Sequence, residues 1–443
     1  MTNSRWMSLA LLACLPLTGC ISDEPGATDE LDTSSVSLHG ADHDHAHRDV
    51  FPDDTGWFAS QREAGPIAHD GPFFDEFGTN GRTCGTCHAA RDGWTITPDH
   101  VRALFRQTHG THPLFRTNDG STSPLADTST LEARRRAYRL LLDRAVIRVG
   151  LPMPSVADFE LIAVDDPYGY ASARELSLFR RPLPATNLRF IPAVMWDGRV
   201  VAPTVDAALL LQADGATLGH AAALAPLPAA ARAEIVAFER GLTTAQVRDR
   251  GAGRLDQHGG RGGVDELALT DRVDARFDLF DAWLGDAPDA QACDHGARAE
   301  ARRAAIARGQ ELFNTRTNAA GRTCRGCHSV ANVGSNANGT FFDIGVAAGT
   351  RRSADQPLYT FRNRATGAIR TTTDPGRALV TGKWADLNRF KVPVLRGLAA
   401  RAPYFHDGSA ESIDDVILFY EESLQFAFTA DEEADLRAFL GAL

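Results

Sequence analysis

Two short runs with the same spacing of cysteine and histidine are the residues best suited to chemistry in this chain. Each is a CxxCH run, in which two thiols form thioether bonds to one haem and the next residue gives the iron its proximal histidine. Gly-Arg-Thr precedes both runs. The repeat predicts two covalently bound haem c groups. The six residues that would hold them are Cys84, Cys87, His88, Cys324, Cys327 and His328.

Other uses of paired cysteines fit the spacing less well. A zinc ribbon needs a second CxxC pair without the trailing histidine. A thioredoxin-like redox pair needs a strand before it and a helix after it. The alternative that stays open is that both runs are accidental or bind zinc.

The N-terminal residues are typical of a bacterial export signal. Arg5 precedes the apolar run from Trp6 to Leu17, and Leu-Thr-Gly-Cys follows, which resembles a lipobox. We expect residues 1–20 to be a lipoprotein signal and Cys20 to carry lipid, so that acyl chains make the only membrane contact. The alternative is a plain secretory signal. Both place the protein outside the bacterial cytoplasm, on the periplasmic face of a membrane or free in the periplasm.

Composition narrows the class of partner. The 443 residues carry a formal net charge of −11, and 43% of them are hydrophobic. An acidic chain is a poor partner for nucleic acid or for an anionic membrane surface. A basic redox partner suits this charge better.

The order of segments predicts a tether followed by two domains. Residues 21–50 are rich in Asp, Ser, Thr and His, which is typical of a flexible linker. Its histidines at 39, 43, 45 and 47 could bind a transition metal loosely, and a solvated linker without a ligand is the alternative. We expect an N-terminal haem domain at 51–287 and a C-terminal haem domain at 288–443.

Hydrophobic periodicity and capping residues predict helices and almost no strands. A capping box at Ser129 and Glu132 would begin a helix that runs to Val149. Gly309 would let the C-terminal helix, capped by Thr429, cross closely, as in cytochrome c folds. We therefore predict a mainly α fold with two cytochrome c-like haem domains and long connecting loops. The other predicted helices cover 204–213, 229–240, 296–313 and 412–424.

Three further motifs carry a resemblance to a known family. They are Lys-Val-Pro-Val-Leu-Arg at 391–396, Ala-Pro-Tyr-Phe-His-Asp-Gly-Ser at 402–409, which contains His406, and Trp-Asp-Gly-Arg at 196–199. With the two CxxCH runs, residues 71–443 resemble the bacterial di-haem cytochrome c peroxidase and MauG superfamily. The resemblance implies that the first haem reacts with hydrogen peroxide at an open iron position and that the second relays electrons. It makes Trp196 the bridge between the haems, whereas the alternative is a core aromatic.

The resemblance also assigns the peroxide-binding side of the first haem. Gln212, in Gln-Ala-Asp-Gly, matches the family's distal glutamine. The family places a glutamate ten residues later, but this chain has Ala222 there. We expect His220 to take over its acid and base role, because a neutral imidazole can accept a proton and return it. The alternative is a histidine that merely ends a helix.

A second departure concerns the second haem. The family's peroxidases ligate its iron with a methionine fourteen residues after the histidine that matches His406, and this chain has Tyr420 there. MauG-like members use tyrosine at this position. A phenolate ligand favours ferric over ferrous iron and lowers the potential. The alternative is that Tyr420 is a core aromatic on its helix.

The family further implies a calcium ion between the domains. Asn118 would supply an amide oxygen, and Arg401 and Pro403 match the positions of backbone ligands. Alternatively, Asn118 is an ordinary turn residue.

Two classes of function follow. The first is an enzyme that uses hydrogen peroxide to oxidise an electron donor or a residue on a partner protein, and Tyr420 favours the partner protein. The second is a non-catalytic electron-transfer cytochrome, in which His100, His109 or His112 would be the sixth ligand of the first haem iron.

Overall fold

The structure is a computed structural model that describes residues 47–63, 65–285 and 295–443. The predicted signal, Cys20 and the tether as far as residue 46 lie outside the described residues. Within the described ranges, no helix is both long enough and apolar enough to cross a membrane.

Helices hold 34% of the described residues. Two capping predictions concern them, and the one at Thr429 is confirmed. Capping boxes begin the helices at Ser412 and Thr429, whereas Thr130 caps the helix predicted to begin at Ser129. In order, the helices are α1 (Pro98–Thr108), α2 (Leu131–Ala137), α3 (Arg139–Arg144), α4 (Val205–Gly219), α5 (Ala229–Gly241), α6 (Val264–Ala268), α7 (His295–Thr315), α8 (Cys324–Cys327), α9 (Ala378–Thr381), α10 (Ile413–Leu424) and α11 (Ala430–Gly441).

Strands and isolated bridges hold a further 17% of the described residues. They form a four-stranded sheet in the order β1-β2-β6-β7, a three-stranded sheet in the order β10-β9-β4, and the pairs β11-β8 and β3-β5. The strands are β1 (Arg48–Pro52), β2 (Gly56–Arg62), β3 (Ile147–Leu151), β4 (Phe159–Asp165), β5 (Leu176–Arg180), β6 (Leu242–Asp249), β7 (Gly253–Arg254), β8 (Phe341–Phe342), β9 (Leu358–Asn363), β10 (Ile369–Thr372) and β11 (Phe390–Lys391).

The prediction of a mainly α fold with long loops is therefore wrong. All five residues of β5 are buried, as are the first five of β6, so these strands lack the alternation by which a half-buried strand is recognised. Their partners are also distant in sequence. For example, β2 pairs with β6, and β4 pairs with β9. Local patterns do not record such pairings.

The single helix predicted from Ser129 to Val149 is also wrong. The chain forms α2 and α3 and then enters β3 at Ile147. Ala145 ends α3 in the left-handed conformation, with φ of 49°. The branched residues Ile147 and Val149 then continue as a strand, which β-branched side chains favour.

The close crossing of two helices in the C-terminal part is confirmed. A Cβ atom at Gly309 of α7 would lie 1.9 Å from the carbonyl oxygen of Asp435 on α11. Phe313 and Phe439 pack edge to face at the same crossing, with ring centroids 5.5 Å apart. Glycine is thus required where α11 covers the segment that leads to the second CxxCH run.

Candidate haem-binding and redox site

The first CxxCH run lies at the edge of a cavity that we call cavity 1. Its backbone forms a short turn from Cys84 to Thr86, in which the side chains and backbones of Thr83 and Thr86 cap each other. Cys84, Cys87 and His88 all line cavity 1. His88 Nδ1 donates to the carbonyl oxygen of Trp94 at 3.0 Å, which leaves Nε2 free as a ligand. Burial lowers the pKa of His88 to about 4, so the imidazole is neutral.

The second run repeats this arrangement at a second cavity, cavity 2. The run forms α8, and Thr323 Oγ1 accepts a hydrogen bond from the Gly326 amide at 3.1 Å. Cys324, Cys327 and His328 line cavity 2. His328 Nδ1 donates to the carbonyl oxygen of Gly334 at 2.6 Å, six residues later, as at His88. Burial lowers the pKa of His328 to about 4.

The thiols and cavity walls fit a covalently bound haem. The four cysteines of the two runs are free rather than paired in disulfides. Burial raises the pKa of Cys84 and of Cys324 to about 12, whereas a reactive redox pair has a lowered thiol pKa. Among the described residues, no cluster of His, Cys, Asp or Glu could hold a metal ion by itself. These observations weigh against the zinc and redox-pair alternatives.

Trp196 lies in the wall that the two cavities share, since its side chain lines both. Its indole N–H donates to the carbonyl oxygen of Arg181 at 2.9 Å. Its ring meets His406 edge to face, with centroids 6.4 Å apart. The backbone amide of Lys391 donates to the Trp196 carbonyl at 2.9 Å. The predicted bridge is therefore fixed between two sites, each of which carries a CxxCH run.

The residue after Trp196 anchors this wall. Asp197 is fully buried and accepts from Arg180 Nη1 at 2.6 Å and from the Arg199 amide at 3.1 Å. Burial alone would raise the pKa of Asp197, but the charges of Arg180 and Arg199 outweigh it and lower the pKa. Arg180 also binds Asp374 at 2.6 Å. The Trp-Asp-Gly-Arg motif is thus tied to the C-terminal half of the chain.

The helix α4 forms another wall of cavity 1, with Gln212 on the helix and His220 directly after its end, and these are the two residues predicted to meet peroxide. Gln212 and His220 line the cavity. His220 Nδ1 lies 2.5 Å from Asp119 Oδ2, and Asp119 also binds Arg82. Burial alone would raise the pKa of Asp119, but the hydrogen bond from His220 and the charge of Arg82 lower it. An ionised Asp119 accepts a hydrogen bond from Nδ1 of His220, so Nε2 is the ring nitrogen that is left for other chemistry.

Tyr420 lines cavity 2 from α10. Phe405 and Phe419 pack around its ring at centroid distances of 6.3 and 5.6 Å. Burial raises the pKa of the Tyr420 phenol, and the thiols of the second run add to this rise. A second phenol, Tyr404, lines the same cavity but donates to the Leu398 carbonyl at 3.2 Å. Tyr420 has no such partner in the part of the chain that the structure describes.

His406 also lines cavity 2. Its ring stacks on Phe390 with centroids 4.1 Å apart. Its side chain is buried, and burial lowers its pKa. The family motif around His406 therefore contributes to the same cavity as Tyr420.

The residues predicted to bind calcium have different contacts in the structure. Asn118 lines neither cavity, and its amide Nδ2 donates to the Gly219 carbonyl at the end of α4 at 2.9 Å. Arg401 and Pro403 line cavity 2, and the Arg401 carbonyl accepts from Arg181 at 3.1 Å. The calcium site stays a prediction.

The histidines proposed to close the first iron are not among the residues that line cavity 1. His100 Nδ1 contacts Asp92 Oδ2 at 2.6 Å, and His112 Nδ1 accepts from the Leu114 amide at 3.2 Å. Met195 does line cavity 1, next to Trp196 in the chain. Met195 and His220 are thus residues of cavity 1, besides His88 and the two cysteines, whose side chains could serve as haem-iron ligands.

Sequence reasoning missed Glu239, a buried acid in cavity 1. This residue is 6% exposed, and its Oε2 has no hydrogen-bond partner among the residues that the structure describes. Burial raises its pKa to about 8. It lies close enough to Cys84 to raise the pKa of that thiol. The sequence does indicate its burial in one way: Glu239 follows Ile235 by four residues and so lies on the apolar face of α5.

Comparison with known proteins gives three sequence relatives, one named MauG and two named as cytochrome c peroxidases. The methylamine utilization protein MauG of Methylophilus methylotrophus is 25% identical over 351 residues, which cover 74% of this chain and 87% of that protein. The cytochrome c551 peroxidase of Nitrosomonas europaea is 42% identical over 69 residues, or 15% of this chain and 21% of the relative. The cytochrome-c peroxidase IdrP2 of Denitromonas iodatirespirans is 29% identical over 133 residues, which cover 27% of this chain and 35% of that protein.

The chain thus spans only about a fifth and a third of the lengths of the two peroxidases. No protein-family model matches it. A crystal structure of a MauG-like protein associated with microbial copper homeostasis aligns over 84% of this chain and 85% of that one, at 18% identity and a TM-score of 0.39. The sequence relatives to which this chain is similar are thus proteins named MauG or cytochrome c peroxidase.

Proposed function

We propose that the protein is an exported di-haem c-type oxidoreductase that activates hydrogen peroxide in cavity 1 and moves electrons through cavity 2. The observation that carries the proposal is the position of Trp196 in the wall shared by two cavities, each with its own CxxCH run. Cys84, Cys87 and His88 would hold the first haem. Cys324, Cys327, His328 and Tyr420 would hold the second. The peroxidase and MauG names of the relatives agree with this chemistry.

Cavity 1 contains the groups that handle protons. When bound at His88, haem would supply the redox-active iron that reacts with peroxide. His220 Nε2 would take a proton from the peroxide and return it to the leaving oxygen, while Asp119 holds Nδ1. The amide of Gln212 would orient the peroxide from the same helix. Glu239 lies close enough to Cys84 to raise the pKa of that thiol, which associates it with the attachment side of the haem, so we assign the proton transfer to His220.

Cavity 2 and its shared wall contain the groups that handle electrons. The Trp196 indole would lose and regain an electron between the two cavities, and its hydrogen bond to the Arg181 carbonyl would keep the ring in place. Tyr420 would ligate the second iron through oxygen, which favours the oxidised state. Such a haem would accept electrons poorly from ordinary donors of high potential. Through Trp196 it would instead share the two oxidising equivalents that peroxide supplies at the first haem, and the protein would return to its resting state by withdrawing two electrons from a docked partner. We therefore propose that the natural reductant is a residue on a partner protein.

We also propose that the protein is exported and that it binds a calcium ion. Covalent haem attachment requires passage out of the bacterial cytoplasm, and the predicted signal with Cys20 would place the protein at a membrane as a lipoprotein. Asn118, Arg401 and Pro403 remain the candidates for a calcium ion between the two halves. The resemblance alone supports that ion.

The proposal is tested by peroxide consumption in the full-length holoprotein. We expect consumption that stops in Cys84→Ala/Cys87→Ala, because the first haem is lost, although the second remains attached. A small reduced cytochrome c should be a slow donor. Rapid turnover with that donor would instead assign the protein to simple peroxide detoxification.

The second candidate function is an electron carrier in which both haem irons have six ligands. Met195 in cavity 1 is the observation that favours it. Absence of peroxide consumption in a protein with two attached haems would support this candidate.

A further inference from the structure

Two buried cations, Arg181 and Lys391, line both cavities. Each residue is 5% exposed. Two other buried cations of cavity 1 have carboxylate partners. Arg180 binds Asp374 and Asp197, and Arg82 binds Asp119. Arg181 and Lys391 thus differ from the other buried cations of cavity 1 in lacking a matching acid among the described residues, a property that Arg401 of cavity 2 shares.

The contacts of the two cations are with neutral groups. Arg181 donates only to backbone carbonyls, those of Arg144 at 3.3 Å, Ala145 at 3.4 Å and Arg401 at 3.1 Å. Lys391 Nζ donates to the Ala193 carbonyl at 3.0 Å. That bond uses one of the three donors of an ammonium group. Within the described ranges, neither cation has a carboxylate oxygen inside the 4.0 Å limit of an ion pair.

Such charges are unusual inside a protein, because a buried charge is normally paired. Burial lowers the pKa of Lys391 to about 8 and that of Arg181 to about 10. Lysine is also rare in this chain. The chain has 46 Lys and Arg residues, and only Lys383 and Lys391 are lysines. One of the two lysines is thus buried in the wall between the cavities.

We propose that Arg181 and Lys391 bind the propionate carboxylates of the haems in both cavities. This inference rests on the proposed function, because it requires a haem in each cavity. A haem is an apolar ring with a pair of propionates, so a haem seated beside these cations brings the acids that the chain itself does not provide. Charge-assisted hydrogen bonds to carboxylates are the strong class for both side chains.

The shared position has a consequence for electron transfer. A positive charge near a haem favours its reduced state, because reduction removes one positive charge from the iron. Since each cation lines both cavities, loss of one cation should lower the reduction potentials of both haems together. A residue confined to one cavity would change one potential alone.

The test uses Lys391→Met in the full-length holoprotein, with Lys391→Arg to restore the charge. Lys383→Met is the matched control, because it removes the chain's exposed lysine. Arg396→Gln is the second control, because Arg396 is buried and bound to carbonyls but lines neither cavity. Haem content is measured by pyridine haemochrome, potentials by spectroelectrochemical titration, and the propionates by their bending bands in resonance Raman spectra.

We expect Lys391→Met to keep both haems, to lower both midpoint potentials and to shift the propionate bands, with Lys391→Arg and both controls close to wild type. Two attached haems with unchanged potentials and bands in Lys391→Met would overturn the inference and leave the proposed function intact. A wild-type protein with fewer than two haems would overturn both.

If Lys391→Met does not mature, the wild-type propionate bands are compared in H2O and in D2O. Exchangeable N–H donors on Arg181 and Lys391 predict a shift of these bands in D2O. Bands that do not move would overturn the inference.

Discussion

Trp196 is bonded through its indole N–H to the carbonyl oxygen of Arg181, 2.9 Å away. Arg181 is itself one of the residues that line both cavities. The bond therefore sets the orientation of the indole in the wall that the two proposed haem sites share. A phenyl ring in its place would fill much of the volume but would lose both the bond and the easily oxidised ring.

We predict that Trp196→Phe binds peroxide normally at the first haem and strongly slows the oxidation of the second. Stopped-flow spectra of the two haems after mixing with peroxide measure this directly. Trp57→Phe is the matched control, since Trp57 lies on β2 and lines neither cavity. Equal rates in Trp196→Phe and wild type would remove Trp196 from the electron path.

His220→Ala should slow the reaction with peroxide by about 10²–10⁴-fold, the usual contribution of a positioned acid and base. Asp119→Asn should slow it less, because His220 stays in cavity 1 but its Nδ1 loses the carboxylate partner. The measurement is the second-order rate constant for peroxide. His109→Ala is the control, and a comparable loss there would show that the effect is not specific to His220.

Tyr420→Phe should change the low-temperature electron paramagnetic resonance spectrum of the second haem alone, because that iron would lose its oxygen ligand. Tyr404→Phe removes the other phenol of cavity 2, whose hydroxyl already binds the Leu398 carbonyl, and should leave the spectrum unchanged. Tyr420→Met should raise the potential of the second haem. If Tyr420→Phe leaves both spectra and the potential unaltered, Tyr420 is a core aromatic.

Much of the candidate site could be predicted from the sequence because its chemistry depends on short motifs. Each of the predicted haem and redox residues lines at least one of the two cavities: the cysteines and histidines of both CxxCH runs, Trp196, Gln212, His220, His406 and Tyr420. Lys391 and Glu239 could not be identified as buried charges in the same way. Their burial depends on α5 and β11 meeting segments far away in the chain, which a local pattern does not report.

Glu239→Gln should stabilise the protein at high pH. Glu239 has a usual pKa of 4.5, which burial raises to about 8. Between these values the unfolded chain releases the proton and the folded chain keeps it, so the free energy of unfolding falls as pH rises through this window. Glutamine avoids this loss, which amounts to a few kcal/mol above about pH 8.

Thermal unfolding of the two proteins at pH 5 and pH 9 measures this difference. We expect a higher midpoint for Glu239→Gln at pH 9 and a small difference at pH 5. Glu234→Gln on the exposed side of α5 is the control and should show no such dependence. An equal gain at both pH values would mean that ionisation of Glu239 is not responsible.

The fold was less predictable than the site. Helices with clear caps, such as α10 and α11, were recognised close to their true limits. The strands were not, because β5 and much of β6 are buried on both faces and pair over long distances. The sheet that joins β4 to β9 and β10 depends on residues about 200 positions apart, such as Leu161 and Phe361. Such contacts arise only in the folded chain.

The most direct test of the proposed function is a cyanide titration of the oxidised full-length protein, with haem counted by pyridine haemochrome. We predict two haems per chain and cyanide binding to one of them. Binding should disappear in Cys84→Ala/Cys87→Ala and persist in Cys324→Ala/Cys327→Ala, because the open iron is the one held by His88. Two attached haems that bind no external ligand in any redox state would contradict peroxide activation and identify an electron carrier.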